Sequence, residues 1–293
     1  MKESEDAEKR IVENLMPGAR MHYRASQSAG EHDFDFEYPS STRIPLEVTV
    51  STDEDAEATD AAIMRRGGPF VPRVHCRHDW DVYPIRYANI NKIRRHVDSY
   101  LAAIEAEGRE HFHAFMDAVK SPAVYAILQE LGIEYGSVIS WKSPGIWIAT
   151  PGDGGIVDPV LVNEAVEIEA FKADNKRKLS SAEGSEKHLF VYVNSTRHVV
   201  WAAVREEAPP VVGPKLPPEI THVWVATWAG NSAWHTVWCA QNGLSWTHMG
   251  QVNIETGEVR VVWSNKGMEL IAYSVRSCLA PASSSSSYLT LAP

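Results

Sequence analysis

The feature that most constrains the fold is an alternation of acidic and aromatic residues in the segment HDFDFEY, residues 32–38. Successive side chains of a β-strand point to opposite faces, so Asp33, Asp35 and Glu37 share one face and the aromatic residues share the other. A turn-forming segment, PSSTR, and a β-branched segment, IPLEVTV, follow directly. The sequence therefore predicts an acidic β-hairpin over residues 33–49.

Glu47 is the residue of this hairpin most strongly expected to be functional. It shares a face with Thr49 in a strand whose other residues are mainly apolar. Such a strand is expected to be central in a sheet, and a carboxylate there needs a partner or a metal ion. Whether Asp33 or Asp35 faces Glu47 depends on the hairpin loop, because a slip of one residue exchanges the faces. Both pairings stay open, as does the alternative that the alternating acids form the solvated face of an edge hairpin.

Helices and further strands are predicted on both sides of the hairpin. Residues 5–16 have a helical apolar stripe into which Glu8 projects. A long helix is expected from about residue 158 to 182. The remaining predicted elements are helices at 89–107 and 109–131, and strands at 20–25, 188–193, 197–204, 221–228 and 235–240. For residues 51–86 we expect a loop with at most a short helix.

This order of elements predicts one α/β domain over residues 1–265, with a helical insertion at about 87–135 and extra C-terminal strands. Residues 266–293 are expected to be a C-terminal extension. Its end contains five consecutive serines and is expected to be disordered.

Composition narrows the classes of function. No apolar stretch approaches the roughly 20 residues that a membrane-spanning helix needs, and no signal peptide is evident. Three widely separated cysteines do not make a disulfide framework, so we expect a cytoplasmic protein. The net charge of −10 disfavours a protein that coats nucleic acid, but it is compatible with an enzyme whose carboxylates hold metal ions.

The order helix, strand, two acidic strands, helix, strand resembles the PD-(D/E)XK, or restriction-endonuclease-like, superfamily. By this resemblance Glu8 matches the acid of the first helix, Asp33 or Asp35 the strand aspartate, and Glu47 the first residue of the Glu-X-Lys element. Thr49 stands where that element has lysine.

The segments LEVT, NKRKL and HLFV also resemble an actinobacterial-type branch of proteins. The superfamily resemblance implies an α/β fold with a central mixed sheet flanked by helices. It further implies Mg²⁺ or Mn²⁺ bound by Glu47, Asp35 and Asp33, and hydrolysis of DNA or RNA.

Lys178 is the candidate to replace the missing lysine. Some members of the superfamily supply this residue from a neighbouring element, and Lys178 lies beside Asn175 at the edge of the apolar stripe of the later helix. The alternative is a surface lysine at a helix end, where cations are favourable. The sequence thus predicts a metal-dependent nuclease, or else a nuclease-fold binding or scaffold protein that lacks the chemistry.

Overall fold

Helices and strands are interspersed along the chain in the computed structural model. It describes residues 3–16, 18–24, 31–37, 43–114, 116–117, 122–140, 145–151, 157–205, 209–228 and 233–260. The helices are α1 (Glu3–Leu15), α2 (Glu54–Arg65), α3 (Ile90–Ala106), α4 (Pro122–Leu131), α5 (Val160–Phe171), α6 (Ala173–Ser181) and α7 (His198–Arg205). The strands are β1 (Arg20–Tyr23), β2 (Phe34–Glu37), β3 (Ile44–Ser51), β4 (Phe70–Val71), β5 (Asp79–Pro84), β6 (His111–His113), β7 (Ile133–Ile139), β8 (Ile146–Ile148), β9 (His188–Val193), β10 (His222–Trp228), β11 (Trp234–Gln241), β12 (Thr247–Asn253) and β13 (Val259–Arg260).

The chain divides into two compact units, whereas the sequence predicted one domain with an insertion. Unit 1 comprises the described residues of Met1–Ser51, Ile156–Val193 and Val199–Pro293. Unit 2 comprises those of Thr52–Gly155 and Asn194–His198. The predicted C-terminal extension, residues 266–293, lies outside the described residues.

Unit 1 is built on an eight-stranded sheet in the order β1-β2-β3-β9-β10-β11-β12-β13. Strands β3, β9 and β10 are parallel, and the other pairs are antiparallel. One face packs on α1, and the other packs on α5, α6 and α7. All of β9 is therefore buried, which explains its continuous apolar sequence HLFVYV. The predicted mixed sheet flanked by helices is confirmed.

The predicted acidic hairpin is present as β2 and β3. These strands are antiparallel, and the pairs Phe34↔Leu46 and Phe36↔Ile44 fix their register. The apolar side chains of the hairpin pack into the core on the α1 face. Strict alternation then directs the acidic residues to the opposite face, which α5 and α6 cover.

Two predicted elements of unit 1 differ in the structure. Residues 197–204, predicted as a strand, form helix α7, which buries Val199, Val200, Ala203 and Val204. That spacing is one side of a helix, although a short apolar run fits either structure. The predicted helix at 158–182 is two helices, because the backbone at Lys172 is extended, with ψ 131°.

Unit 2 contains a sheet as well as helices, whereas the sequence predicted a pair of inserted helices. Helices α3 and α4 confirm the helical part, and α2 is the short helix expected within residues 51–86. The missed element is a five-stranded sheet in the order β4-β8-β5-β7-β6. All three helices pack on one face of it, around Trp80, Val82 and Phe112. The short strands were overlooked because Gly, Pro and His are frequent between them.

Gly136 provides a test of packing in this core. A Cβ atom at position 136 would lie 2.4 Å from the Phe112 ring. Phe112 is fully buried, so the ring has little space into which to move. We expect Gly136→Ala to lower the free energy of unfolding by about 2 kcal/mol, measured by urea denaturation. In the Phe112→Leu background the same substitution should lower the free energy of unfolding by clearly less. An equal decrease in both backgrounds would contradict this explanation.

Within the described ranges, none of the helices combines the length and the apolarity needed to cross a membrane.

Candidate active site

The centre of the candidate site is an ion pair between Glu47 on β3 and Lys178 on α6. The Lys178 Nζ lies 2.6 Å from Glu47 Oε1. The Glu47 side chain is only 1% exposed, while that of Lys178 is 20% exposed. Asp174, one helical turn before Lys178, places its Oδ2 3.3 Å from the same ammonium group. The structure thus brings together Glu47 and the lysine that sequence analysis proposed as a substitute.

Asp33 is the strand aspartate that joins this pair. Continuing the β2–β3 register by one residue places Asp33 opposite Glu47. The Asp33 Oδ2 accepts a hydrogen bond of 3.0 Å from the backbone N–H of Val48, which holds the carboxylate against β3. Asp33 is 7% exposed. The alternative that the sequence left open is resolved in favour of Asp33.

Two neighbouring carboxylates change the protonation of this site. Burial and, to a smaller extent, the negative charge of Asp33 raise the pKa of Glu47 to about 8, and this value already includes the opposing effect of Lys178. Glu47 Oε2 is buried and receives no hydrogen bond from any residue of the described chain. Two carboxyl groups therefore crowd one lysine, and a cation bound at the buried Oε2 would favour the ionised form of Glu47.

The Lys178 ammonium group stays protonated in this environment. Burial alone would lower its pKa, but the hydrogen bond to Glu47 and the charges of Glu47 and Asp33 raise it above the ordinary value. A protonated amine can donate hydrogen bonds and neutralise negative charge, but it cannot accept a proton. Lys178 is therefore suited to stabilise an anion at this site.

Thr49 binds a carboxylate that the sequence did not single out. Its Oγ1 donates a hydrogen bond of 2.9 Å to Glu169 Oε2 on α5. Lys172 Nζ lies 2.6 Å from the same oxygen, and the Asn175 side chain donates to the Glu169 backbone carbonyl. Glu169 is 1% exposed and falls among the buried positions of α5, so an acid inside that apolar stripe was the available signal.

Asp35 shares the face of Glu47 but is held by other partners. Its carboxylate lies 2.9 Å from Arg24 Nε and 2.7 Å from His32 Nε2. Burial acts to raise the pKa of Asp35, but these two partners outweigh it and the pKa is lowered. Glu37 lies near the surface, 3.4 Å from His22 Nε2. Neither residue joins the pair of Glu47 and Lys178.

Glu8, the predicted helical acid, is not brought to Glu47. It lies on α1, which packs on the other face of the sheet. There its charge and, more strongly, burial raise the pKa of Tyr192, a residue of that opposite face. The Tyr192 hydroxyl is 3.0 Å from His235 Nδ1. Glu8 therefore belongs to a buried polar group with Tyr192 and His235, separate from the candidate site.

The buried imidazole of this second group gives a pH prediction. Burial lowers the pKa of His235 to about 4, below its ordinary value of 6.5. Because the pKa is lowered, only the unfolded chain gains a proton between pH 6.5 and pH 4. The contribution of His235 to the free energy of unfolding is therefore complete above pH 6.5 and is lost as the pH falls towards 4. We expect His235 to account for a loss of about 3 kcal/mol over that range. Urea denaturation of wild type and His235→Gln at both pH values should show a smaller decrease in the free energy of unfolding for the variant.

A group formed by Glu186, His188 and His222 also has metal-ligand geometry, with ligand atoms within 4.8 Å of one another. The hydrogen bonds of His188 argue against a metal ion there. Trp224 Nε1 donates to His188 Nδ1 at 3.0 Å, so the ring proton of the neutral imidazole is on Nε2, which lies 2.8 Å from Glu186 Oε1. Metal binding through Nε2 would require loss of that proton as well. The group is a buried hydrogen-bond chain, and Asp33 and Glu47 remain the better metal ligands.

No protein-family model, curated protein or solved structure matches the chain. The assignment of the site therefore rests on its own geometry: two adjacent carboxylates on neighbouring strands, with a lysine supplied by a following helix.

Proposed function

We propose that the chain is a Mg²⁺- or Mn²⁺-dependent nuclease with a PD-(D/E)XK-like core. The observation that carries this proposal is the convergence of Asp33, Glu47 and Lys178 on one face of the sheet. The family's aspartate, glutamate and lysine form such a set, and here the lysine comes from α6 in place of position 49. The order of α1, the β2–β3 hairpin, α5–α6 and β9 supports the same fold assignment.

Asp33 and Glu47 would hold the metal ion. Both offer carboxylate oxygens, the ligands that Mg²⁺ and Mn²⁺ prefer, and the buried Oε2 of Glu47 has no competing donor among the described residues. When bound, such an ion activates water and neutralises charge that develops on the phosphate. The backbone N–H of Val48 fixes the Asp33 carboxylate in place.

Lys178 supplies the second part of the chemistry. Hydrolysis of a phosphodiester forms a bond from a water oxygen to phosphorus and breaks a phosphorus–oxygen bond, and negative charge builds up on the phosphoryl oxygens. An ammonium group at this point can donate hydrogen bonds to those oxygens and orient the attacking water. Asp174, 3.3 Å from Lys178 Nζ, restricts the position of that group.

A nuclease-fold binding or scaffold protein is the second candidate. The observation in its favour is that Lys178 already pairs with Glu47, so the ion pair can serve as a structural contact between α6 and β3. Thr49 is likewise engaged by Glu169. Such a protein would bind its partner without cleaving nucleic acid, and its site would not take up Mn²⁺.

We also propose a cytoplasmic location. Cys76 and Cys239 are buried and are not in disulfide bonds, which fits a reducing compartment.

The experiment that tests the proposed function uses the full chain and labelled single- and double-stranded DNA and RNA. Each substrate is incubated with Mg²⁺, Mn²⁺ or EDTA, beside the Glu47→Gln variant, and Mn²⁺ binding is measured by calorimetry. We expect metal-dependent cleavage and Mn²⁺ binding that Glu47→Gln abolishes. Absence of metal-dependent cleavage would refute the nuclease, and absence of Mn²⁺ binding as well would favour the binding or scaffold protein.

A further inference from the structure

The sheet of unit 2 has a face that none of its described helices covers. Helices α2, α3 and α4 all pack on the face that carries Trp80 and Val82. On the other face, strand pairing aligns one residue from each of the five strands in a continuous row. In order across the sheet, the row is Phe70, Trp147, Asp81, Ser137 and His111.

A second, shorter row of aromatic residues lies next to the first. It consists of Tyr83, Tyr135 and His113 on β5, β7 and β6. The Tyr83 and Tyr135 ring centroids are 5.7 Å apart, and those of His113 and Tyr135 are 6.1 Å apart. Together the two rows place an aromatic ring on each of the five strands, and the rings of Tyr83 and His113 are tilted by 45° and 55° against that of Tyr135. Phe70 and Trp147 are among the exposed large apolar residues of the protein.

Asp81 is the buried charged residue at the centre of this face. It is 8% exposed, and its Oδ2 accepts a hydrogen bond of 2.8 Å from the Tyr83 hydroxyl. Its Oδ1 is buried and has no hydrogen-bond partner within the described part of the chain. A buried carboxylate oxygen without a hydrogen bond destabilises the fold, so a donor is expected to meet it.

We propose that this face of unit 2, with Trp147 and Asp81 at its centre, binds a nucleobase that carries an exocyclic amino group. Aromatic side chains on an open sheet stack on bases. A carboxylate oxygen accepts a hydrogen bond from the amino group of cytosine or adenine, whereas the corresponding oxygen of uracil or thymine is itself an acceptor and would repel it. Asp81 therefore determines which bases bind.

The size of the face favours several bases over one. Two rows of rings across neighbouring strands can stack successive bases of a single strand, whereas a duplex keeps its bases stacked on each other. The Asp81 Oδ1 atom is covered in the free protein. Binding therefore requires a side chain that covers this atom to change rotamer.

This inference rests on the proposed function in that it names single-stranded nucleic acid as the substrate class. It is tested by binding alone. Fluorescence anisotropy of labelled oligocytidine, oligoadenosine and oligouridine decamers is measured with the full chain in EDTA, so that no cleavage is required. If the protein binds bases selectively but cleaves no nucleic acid, only the proposed nuclease function is refuted. Cleavage without such binding would refute only this inference.

We expect the cytidine and adenosine decamers to bind about tenfold more tightly than the uridine decamer, since one good base contact contributes about 1–3 kcal/mol of discrimination. Asp81→Asn, which keeps the shape of the side chain, should reduce that preference to about threefold or less.

Trp147→Ala should weaken binding of all three decamers by about tenfold, and Trp147→Phe should restore part of that affinity. Competition by cytidine monophosphate distinguishes a free nucleotide from a strand as the natural ligand.

Met64→Ala is the matched control, because Met64 is exposed on α2, a helix of the opposite face. It should leave all three affinities unchanged. Absence of binding, equal affinity for cytidine and uridine decamers, or a preference that Asp81→Asn retains would each overturn the proposal. Thermal unfolding of every variant identifies any loss of binding that comes from a loss of folding.

Discussion

Replacing Lys178 with methionine is expected to reduce metal-dependent cleavage of nucleic acid by about 100-fold or more. Methionine keeps most of the length of the side chain and removes the ammonium group that lies 2.6 Å from Glu47 Oε1. Without that group, charge on the phosphoryl oxygens loses its hydrogen-bond donor. The measurement is the single-turnover cleavage rate at saturating Mg²⁺, which separates chemistry from binding.

Lys176→Met is the control for this prediction, because Lys176 is on the same helix and contacts the Phe171 ring, 5.8 Å away. It should change the rate by less than about threefold, as is usual for a surface substitution. Lys178→Arg keeps the charge and should retain more activity than Lys178→Met. If the two methionine variants cleave equally well, Lys178 is a structural partner of Glu47 and the lysine of the site lies elsewhere.

Much of unit 1 was predictable because its signals are local. Alternation in HDFDFEY and IPLEVTV determines the two faces of the hairpin, and the apolar run HLFVYV marks a strand covered on both sides. The length of the later helix was less accessible, since no glycine or proline marks the extended residue Lys172. Helix α7 was missed for a related reason. Its short apolar run fits the apolar spacing of a helix and of a strand, and only packing decides between them.

The sheet of unit 2 was not predicted because its strands are short and depend on distant partners. Strand β5 pairs with β7, more than 45 residues away along the chain, and β8 pairs with both β4 and β5. Pairing between residues so far apart leaves little trace in a local pattern. The segment EHFH illustrates this, since it is an edge strand whose partner is β7, while the sequence pattern had placed it in a helix.

The candidate site was predictable in part, and the limits are physical. Glu47 could be identified because a carboxylate inside an apolar strand is costly without a partner. Lys178 could be proposed but not placed, because its proximity to Glu47 depends on how α6 packs on β3. The position of Glu8 could not be predicted, because an acid in the apolar stripe of a helix shows that the residue is buried but does not show which face of the sheet the helix covers.

The second large effect concerns stability and arises from Glu47. Its pKa in the folded protein is raised to about 8 from an ordinary value of 4.5. A carboxyl group with a raised pKa stabilises the fold fully below pH 4.5, and this contribution is lost as the pH rises to about 8, because the unfolded chain releases the proton first. At about 1.4 kcal/mol for each pKa unit, the loss is of the order of 4–5 kcal/mol.

Urea denaturation of the metal-free protein at pH 5 and pH 9 should therefore show a decrease in the free energy of unfolding that Glu47→Gln largely removes. Glu183→Gln, at an exposed position, should retain the decrease. If wild type and Glu47→Gln depend on pH in the same way, the carboxylate of Glu47 is already ionised at pH 5, and the pair with Lys178 outweighs both burial and Asp33. That result would mean that the lysine neutralises the site by itself.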